Sequence, residues 1–197
     1  MYIKLKRLFD ILFSVILLVL LFPVFLIIAL LLKINRVNKV FFVQKRSGKN
    51  DSVFNIYKFT TIVEGKVNNK FCIFLRKTGL DEIPQLLNIL KGEMSFIGPR
   101  PWIIEYSKYF TKKQKKRLNV LPGLTGYAQV SNCKDVFEKI EKDCYYVDHV
   151  SFLFDLRIIF NTIRLIFSNS KNEITEVGIE KEIKMLKKNR KWSYLIG

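Results

Sequence analysis

The sequence is poor in the residues that build disulfide frameworks, zinc sites and histidine-based triads. Its 197 residues include three cysteines and one histidine. Cys72, Cys133 and Cys144 lie far apart without a Cys-x-x-Cys pair, so we expect reduced thiols rather than a disulfide framework. The single histidine, His149, gives little support to a zinc site or a Ser-His-Asp triad. Any catalysis is therefore expected to use carboxylates, lysine, arginine, hydroxyl groups or a hard metal ion.

Acidic residues are scarce relative to basic ones. The chain has 17 Asp plus Glu against 34 Lys plus Arg, which gives a formal net charge of +17. General disorder is excluded because 49% of the residues are hydrophobic and 14% are aromatic. The basic charge favours an anionic membrane surface or a phosphate-rich substrate. Nucleic acid is not expected, because the basic run 112–117 has neither interleaved aromatic residues nor a nucleic-acid-binding motif.

One long hydrophobic segment, residues 11–32, carries no formal charge. As a straight helix it would measure about 33 Å, against roughly 30 Å for a bilayer core. Pro23 interrupts it, and positive charge favours the cytoplasmic side of a membrane. A re-entrant hairpin that turns near Pro23 therefore explains two basic flanks better than the alternative, a single transmembrane helix. The flanking residues are Lys4, Lys6, Arg7, Lys33, Arg36 and Lys39.

Asp10 stands at the entry to this hydrophobic segment. Lys6 and Arg7 precede it by four and three residues, so on a helix both cations can partner its carboxylate near the membrane interface. The alternative is a solvated charge at the start of a helix. The candidate membrane-anchoring residues are Lys6, Arg7, Asp10 and Pro23.

The remaining sequence predicts a small α/β body. Residues 40–62 indicate two strands around a turn, and residues 80–91 indicate a helix. Residues 151–167 have a single polar stripe, which predicts an amphipathic helix that lies either at the membrane interface or against the protein core. We predict a membrane-embedded hairpin over residues 1–39, a cytoplasmic catalytic domain over 40–170 and a basic C-terminal tail over 171–197.

Two adjacent acids, Asp81 and Glu82, open a helical pattern. Pro84 is tolerated only in a first helical turn, which places Asp81 at or next to the N-cap. One explanation is structural: Asp81 caps the helix and Glu82 complements its dipole. The other is chemical, because a helix start binds phosphate and keeps a nucleophilic carboxylate ionised. Helical spacing predicts a buried face formed by Ile83, Leu86, Leu87 and Leu90.

Cationic residues near these acids suit a phosphorylated substrate. Arg76 lies shortly upstream, and Arg100 lies between Pro99 and Pro101, whose fixed φ angles would orient its guanidinium for bidentate phosphate contacts. A carboxylate pair without nearby histidine or cysteine also suits Mg²⁺, which prefers oxygen ligands and a phosphate co-ligand. A nucleophile, a hard metal and cationic clamps are together what phosphoryl transfer requires.

At these residues the sequence resembles the bacterial sugar transferase family, the monotopic polyprenol-phosphate phosphoglycosyl transferases. Each matching motif is weak alone, but their order over about residues 2–167 is specific. The motifs are Lys6-Arg7 with Asp10, Ile56-Tyr57-Lys58-Phe59, residues 80–86, 91–101 and 122–130, Asp143, Tyr145-Tyr146, and Ser151 with Asp155-Leu156.

The resemblance implies an enzyme of the inner membrane with its catalytic domain on the cytoplasmic face. It implies transfer of a sugar 1-phosphate from a UDP-sugar to undecaprenyl phosphate, with release of UMP, as the first membrane step of surface glycan assembly. Asp81 would be the covalent nucleophile and Glu82 the Mg²⁺ ligand. Substrate contacts are expected from Arg76, Arg100 and Lys134, and formation of a homo-oligomer is left open. Two rivals are a non-catalytic basic membrane-surface protein of the same fold and a UDP-releasing membrane glycosyltransferase.

The sequence departs from the family pattern at several places. Phe22 replaces the usual serine before the hairpin proline, and Thr60 replaces a basic residue. The stretch between Thr61 and Asp81 is shorter than in many members. The usual Asn-Gly-Arg is replaced by residues 131–134, which end in Lys134, and lysine is not equivalent to arginine in phosphate recognition.

Overall fold

The computed structural model describes residues 2–35, 37, 39–63, 66–67, 69–167 and 181–188. They form a mixed helix and sheet structure, as predicted. The helices are α1 (Tyr2–Ile34), α2 (Lys70–Thr78), α3 (Gln85–Lys91), α4 (Ile104–Ser107), α5 (Tyr127–Val130), α6 (Val136–Asp148), α7 (Phe152–Phe167) and α8 (residues 181–188). The strands are β1 (Phe41–Ser47), β2 (Val53–Phe59), β3 (Ile62–Val63), β4 (Lys66–Val67), β5 (Ser95–Ile97) and β6 (Gly123–Thr125).

The strands pair in three two-stranded sheets, β1 with β2, β3 with β4, and β5 with β6. The two strands predicted over residues 40–62 are confirmed. Their connection includes Asn50 and Asp51 with φ angles of 56° and 60°, a left-handed conformation that short polar side chains tolerate.

The chain groups into two compact units. The first comprises Met1–Gln44 and Asn55–Ser95, and the second comprises Lys45–Phe54 and Phe96–Gly197. Helices α1 to α3 belong to the first unit and α4 to α8 to the second. The predicted domain boundaries near residues 39 and 170 stay predictions.

The hydrophobic segment forms one continuous helix, α1, with Pro23 inside it. By length and composition alone, this helix is long and apolar enough to cross a membrane. The expected turn near Pro23 is absent from the secondary structure, so the re-entrant hairpin is not confirmed. A proline removes one backbone hydrogen bond, but the remaining bonds of a long helix keep its neighbours helical.

The N-terminal half of α1 packs on the rest of the first unit through two charged residues. Arg7 donates from Nη1 to the Ile89 carbonyl at 2.6 Å and from Nη2 to the Leu90 carbonyl at 2.9 Å, so it satisfies carbonyl groups at the C-terminal end of α3. Asp10 is only 4% exposed and accepts a hydrogen bond from Ser95 Oγ at 3.1 Å. The alternative in which Asp10 is a solvated charge is therefore wrong.

The C-terminal half of α1 packs on the same unit through aromatic and aliphatic side chains. The Phe25 ring lies 5.7 Å from the Phe41 ring and 4.9 Å from the Phe59 ring. Ile28 and Leu32 are buried. Both halves of α1 are thus attached to one unit.

The helix predicted over residues 80–91 is divided in the structure. A 3₁₀ turn, Leu80–Glu82, precedes α3, and Gly92 with φ 86° ends that helix. Ile83 and Leu86 are buried as predicted, but Leu87 is 40% exposed, so its predicted place in the buried face is wrong. Asn88, the next residue, lies in the buried face instead, where its side chain is hydrogen-bonded to β2.

Helix α7 confirms the helix predicted over residues 151–167. Its buried residues are Asp155 and Ile158. Ile158 belongs to a hydrophobic cluster with Ile97 and Tyr146, and Phe154 packs against that cluster. Asp155 accepts a hydrogen bond from the Tyr146 hydroxyl at 2.7 Å, which ties α7 to α6. The core alternative is wrong for its exposed large hydrophobic residues, which are Phe152, Leu153, Leu156, Ile159, Phe160, Ile163, Ile166 and Phe167.

Candidate functional site

Asp81 lies in the 3₁₀ turn that precedes α3 and is 7% exposed. The N-cap residue of this turn is Gly79, and that of α3 is Pro84. Asp81 is therefore the N-cap of neither helix, and the capping explanation for this residue is wrong. It is the second residue of the turn, near the end of the helical run where the peptide dipoles favour negative charge.

Glu82 forms an ion pair that the sequence analysis did not anticipate. Its Oε1 lies 2.6 Å from Lys58 Nζ, and the two side chains are 20% and 17% exposed. The ammonium group offsets the repulsion expected between the adjacent Asp81 and Glu82 carboxylates. Lys58 lies in the motif Ile56-Tyr57-Lys58-Phe59, which was the available signal for its involvement.

Asn88 fixes strand β2 against helix α3. Its Oδ1 accepts from the Tyr57 backbone N–H at 3.1 Å, and its Nδ2 donates to the Asn55 carbonyl and to Glu93 Oε2, both at 2.7 Å. Lys58 follows Tyr57 directly, so this anchoring holds its ammonium group beside Glu82. Asn88 is a positioning residue that sequence reasoning missed, because it falls within an apolar helical pattern.

Arg76 lies in the last turn of α2. That helix ends at Gly79, whose φ of 77° is left-handed and whose N–H donates to the Arg76 carbonyl. The glycine is also the N-cap of the 3₁₀ turn with Asp81 and Glu82. The first unit therefore contains Arg76, Asp81 and Glu82 within one short stretch of chain.

The loop around Arg100 belongs to the second unit and is held by close backbone approach. Gly98 donates to the Thr125 carbonyl and Gly123 to the Pro99 carbonyl, both at 2.9 Å. A Cβ atom at Gly123 would meet the Gly98 nitrogen, and one at Gly126 would meet the Gly98 carbonyl. Only glycine fits these positions, so the start of the loop is rigidly fixed.

A buried ion pair supports the same loop. Arg117 Nη2 lies 2.7 Å from Asp143 Oδ2 and 2.7 Å from the Arg100 carbonyl oxygen, and both ion-pair side chains are 1% exposed. The Arg117 guanidinium also stacks 4.5 Å from the Trp102 ring centroid. Arg117, the last residue of the basic run 112–117, is therefore a buried residue and not a solvated surface charge.

Burial shapes the ionisation of Asp143 and of the cysteines. Burial raises the pKa of Asp143 above its usual value, and the charges of Arg117 and Arg100 oppose that shift. Burial likewise raises the pKa of each of the three thiols, which are free, as predicted. Protonated thiols are poor nucleophiles, which agrees with the expectation of carboxylate chemistry. The thiols are those of Cys72, Cys133 and Cys144.

Lys134 lies in the second unit, one residue before the N-cap of α6. Asp135 caps that helix by accepting from Phe137 N at 2.8 Å, while Glu138 accepts from Lys134 N at 2.9 Å. Lys134 itself is exposed. Its backbone is therefore fixed, and its side chain is accessible to a ligand.

Asp81 and Glu82 supply only part of the set of oxygen ligands that Mg²⁺ needs. Among the described residues, no group of three or more His, Cys, Asp or Glu is placed to hold a metal ion. Mg²⁺ commonly uses one or two carboxylates and takes its other oxygens from water and phosphates. Asp81 and Glu82 provide such carboxylates, so the donor set fits Mg²⁺ that binds together with a diphosphate.

Comparison with known proteins defines the class. Residues 1–169 match the bacterial sugar transferase family, and the chain belongs to this family, as predicted. It is 37% identical over 173 residues to the uncharacterised sugar transferase EpsL of Bacillus subtilis. This alignment covers 81% of the chain and 86% of the relative.

Two further relatives have names that state a reaction. One is the UDP-N-acetylgalactosamine-undecaprenyl-phosphate N-acetylgalactosaminephosphotransferase of Aeromonas hydrophila, with 35% identity over 188 residues, 85% of the chain and 44% of the relative. The other is the UDP-glucose:undecaprenyl-phosphate glucose-1-phosphate transferase of Escherichia coli K12, with 34% identity over 182 residues, 81% of the chain and 39% of the relative. The chain spans less than half the length of both.

Proposed function

We propose that the chain transfers a sugar 1-phosphate from a UDP-sugar to undecaprenyl phosphate and releases UMP. The supporting observation is the buried Asp81 beside the Lys58–Glu82 ion pair, in a chain of the bacterial sugar transferase family. The names of the Aeromonas and Escherichia relatives state undecaprenyl phosphate as acceptor and a UDP-sugar as donor. The product, an undecaprenyl-diphosphosugar, would begin the assembly of a surface glycan.

The chemical step follows from the position of Asp81. A carboxylate oxygen of Asp81 attacks the phosphorus that carries the sugar, and the bond from that phosphorus to the UMP oxygen breaks. An oxygen of undecaprenyl phosphate then attacks the same phosphorus, and the Asp81 carboxylate leaves. Two displacements let one site receive a water-soluble donor and a lipid acceptor in turn.

The surroundings of Asp81 suit a nucleophilic carboxylate. Its place in the first turn exposes it to the positive end of the helix dipole. The Lys58 ammonium lies on the adjacent Glu82 carboxylate and reduces the negative charge that Asp81 experiences. Burial keeps competing water away from the carboxylate.

We assign Glu82 as the Mg²⁺ ligand. When bound, Mg²⁺ would neutralise charge on the phosphate oxygens of the donor. Without substrate, the Lys58 ammonium group is paired with the Glu82 carboxylate. When the donor and Mg²⁺ bind, this ammonium group would move to a phosphate oxygen of the donor. Arg76, Arg100 and Lys134 are proposed to bind the substrate through phosphate or sugar oxygens.

We further propose that α1, although helical through Pro23, does not cross the membrane and keeps both of its ends on the cytoplasmic face. Asp10 and Phe25 both contact the first unit, and about 22 Å of helix separates them, less than the roughly 30 Å of a bilayer core. The two contact points therefore do not reach opposite faces of a membrane. Basic residues on both flanks support the cytoplasmic side.

Helix α7 is proposed to lie in the membrane interface. Its exposed apolar residues include Leu153, Phe160 and Phe167, and Arg157 and Arg164 are exposed beside them. An apolar surface with flanking arginines suits acyl chains beneath anionic headgroups.

The experiment that tests this function identifies the nucleotide product. Detergent-solubilised protein is incubated with Mg²⁺, undecaprenyl phosphate and a panel of UDP-sugars. We expect UMP and a lipid-linked diphosphosugar with at least one donor. UDP as product would indicate a glycosyltransferase, and no product with any donor would indicate a non-catalytic membrane-surface protein.

A further inference from the structure

Helix α8 lies beyond residue 169, where the family match ends. Its Leu186 is 0% exposed and completes a hydrophobic cluster in the second unit, and Ile183 packs against the same cluster. This helix is therefore docked on the second unit although it lies outside the segment that defines the family. The other buried members of the cluster are Trp102, Tyr106, Phe110, Val136 and Ile140.

Polar contacts fix the position of α8 on this cluster. Glu182 accepts a hydrogen bond from the Tyr106 hydroxyl at 2.7 Å and from Lys139 Nζ at 2.6 Å. The Lys187 ammonium lies 5.2 Å from the centroid of the Tyr109 ring. Burial and the Glu182 carboxylate raise the pKa of Tyr106, so its hydroxyl keeps the proton that it donates. The contacts to Tyr106, Lys139 and Tyr109 thus fix the position of α8 on the cluster.

The cluster under α8 also supports Arg100. The Trp102 ring lies 4.7 Å from the Tyr106 ring, and the Arg117 guanidinium stacks on Trp102 at 4.5 Å. Arg117 then donates to the Arg100 carbonyl at 2.7 Å. A continuous series of contacts therefore runs from Glu182 and Leu186 through the aromatic rings to Arg100.

We propose that α8 is a positioning element for the donor-binding site, which acts through Trp102 and Arg117 to fix Arg100. This proposal rests on the proposed function, because Arg100 is assigned there to substrate binding. Glu182 and Leu186 are the positioning residues, and neither is expected to touch the substrate. Removal of α8 would expose the aromatic cluster and loosen the seat of the Arg117 guanidinium.

The expected signature is a change in donor binding rather than in the chemical step. A displaced Arg100 would weaken contacts made equally in the ground state and the transition state, which raises KM with little effect on kcat. Small displacements of positioning groups have large kinetic effects, so we expect KM for the UDP-sugar to rise about tenfold in Leu186→Ala. Glu182→Gln keeps the shape of the side chain but loses the charge, and should raise KM by a smaller factor.

The test compares these variants with Lys184→Ala, a change at an exposed position of the same helix. KM and kcat are measured from UMP release, in the wild type and in an Arg100→Ala background. We expect Leu186→Ala to raise KM in the wild-type background and to leave it unchanged in Arg100→Ala. Lys184→Ala should match the wild type in both backgrounds.

A second readout follows docking without relying on activity. In a Trp192→Phe background Trp102 is the only tryptophan of the chain, and its emission should shift to longer wavelength in Leu186→Ala as water reaches the cluster. An unchanged KM, or an equal rise in KM in the Arg100→Ala background, would overturn the positioning role. An inactive wild type would instead overturn the proposed function, and the positioning role of α8 with it.

Discussion

Lys58 Nζ and Glu82 Oε1 lie 2.6 Å apart, and this ion pair places a cation on one of two adjacent carboxylates. The pair joins β2 to the turn before α3, and Asn88 joins β2 to α3 itself through hydrogen bonds to the backbone of Tyr57 and Asn55. The position of the ammonium group is therefore built into the first unit. It leads to two expectations, one for each partner.

Glu82→Gln should abolish most activity without unfolding the protein. Both side chains of the pair keep some contact with solvent, so its loss should cost less than the roughly 3–5 kcal/mol of a fully buried pair. A charge at a helix start contributes about 0.3–1 kcal/mol. Loss of a metal ligand should lower kcat on the order of 100-fold. Rates of UMP release and thermal unfolding of the same sample check this, and wild-type rates in Glu82→Gln, or full turnover in EDTA, would argue against the assigned role.

Lys58→Met should increase the affinity of the carboxylate pair for Mg²⁺. The ammonium group competes with a metal ion for Glu82, and methionine removes the charge while it keeps most of the side-chain volume. Titration calorimetry with Mg²⁺ in the absence of nucleotide measures this, because a bound diphosphate would draw the Lys58 ammonium group away from Glu82. A matched change at the exposed Lys112 is the control, and equal or weaker Mg²⁺ binding in Lys58→Met would contradict competition at Glu82.

The Arg117–Asp143 pair predicts a large stability effect. Arg117→Met leaves the Asp143 carboxylate buried without its partner and should cost about 3–5 kcal/mol of unfolding free energy. The double variant Arg117→Met/Asp143→Leu should recover part of this loss, because the unpaired charge is gone. Chemical denaturation in detergent measures both values.

Lys116 provides the matched control for that measurement. It is adjacent in sequence but pairs with Asp148 at the surface, where both side chains are 44% exposed. Lys116→Met should therefore cost at most about 1 kcal/mol. Similar losses for Lys116→Met and Arg117→Met would contradict the special role given to the buried pair.

The account of α1 predicts where its two ends lie. Cysteines introduced at Tyr2 and Lys39, in a chain whose own cysteines are replaced by alanine, should resist a membrane-impermeant maleimide in intact spheroplasts. Both should react after lysis, as should a cysteine at the exposed Lys112. Labelling of either cysteine in intact spheroplasts would indicate a simple transmembrane helix and would not affect the enzymatic proposal.

Local patterns predicted much of the fold. The strands of residues 40–62, the helix of residues 151–167 and the helical start at the acid pair are encoded within short windows, and the structure contains all three. The family was also recognisable from short motifs in order. These features depend on near neighbours in the sequence, which is why periodicity and turn residues revealed them.

Features that depend on distant partners were missed. Arg117 looks like its lysine neighbours in sequence, and its burial is decided by Asp143, 26 residues away. Asn88 rather than Leu87 lies in the buried face of α3, and its hydrogen bonds go to a strand more than 30 residues earlier in the chain. The docking of α8 depends on a cluster formed mostly by residues 102–140. None of these has a local pattern.

Asp81 is the residue on which the proposed mechanism depends most directly. Asp81→Asn should fold normally, because Asp81 is not an N-cap and the amide is nearly the same size. It should release essentially no UMP, since an amide is too weak a nucleophile to attack phosphorus. Asp135→Asn is the matched control: Asp135 caps α6, asparagine caps about as well as aspartate, and activity should be retained.

The most direct test of covalent catalysis is intact-mass spectrometry after exposure to the productive UDP-sugar and Mg²⁺ without undecaprenyl phosphate. The wild type should gain the mass of one phosphosugar on the peptide that contains Asp81, with UMP released in an amount limited by the enzyme. Asp81→Asn should gain none. An adduct on Asp81→Asn, or its absence from an active wild type under the same trapping conditions, would contradict the central claim.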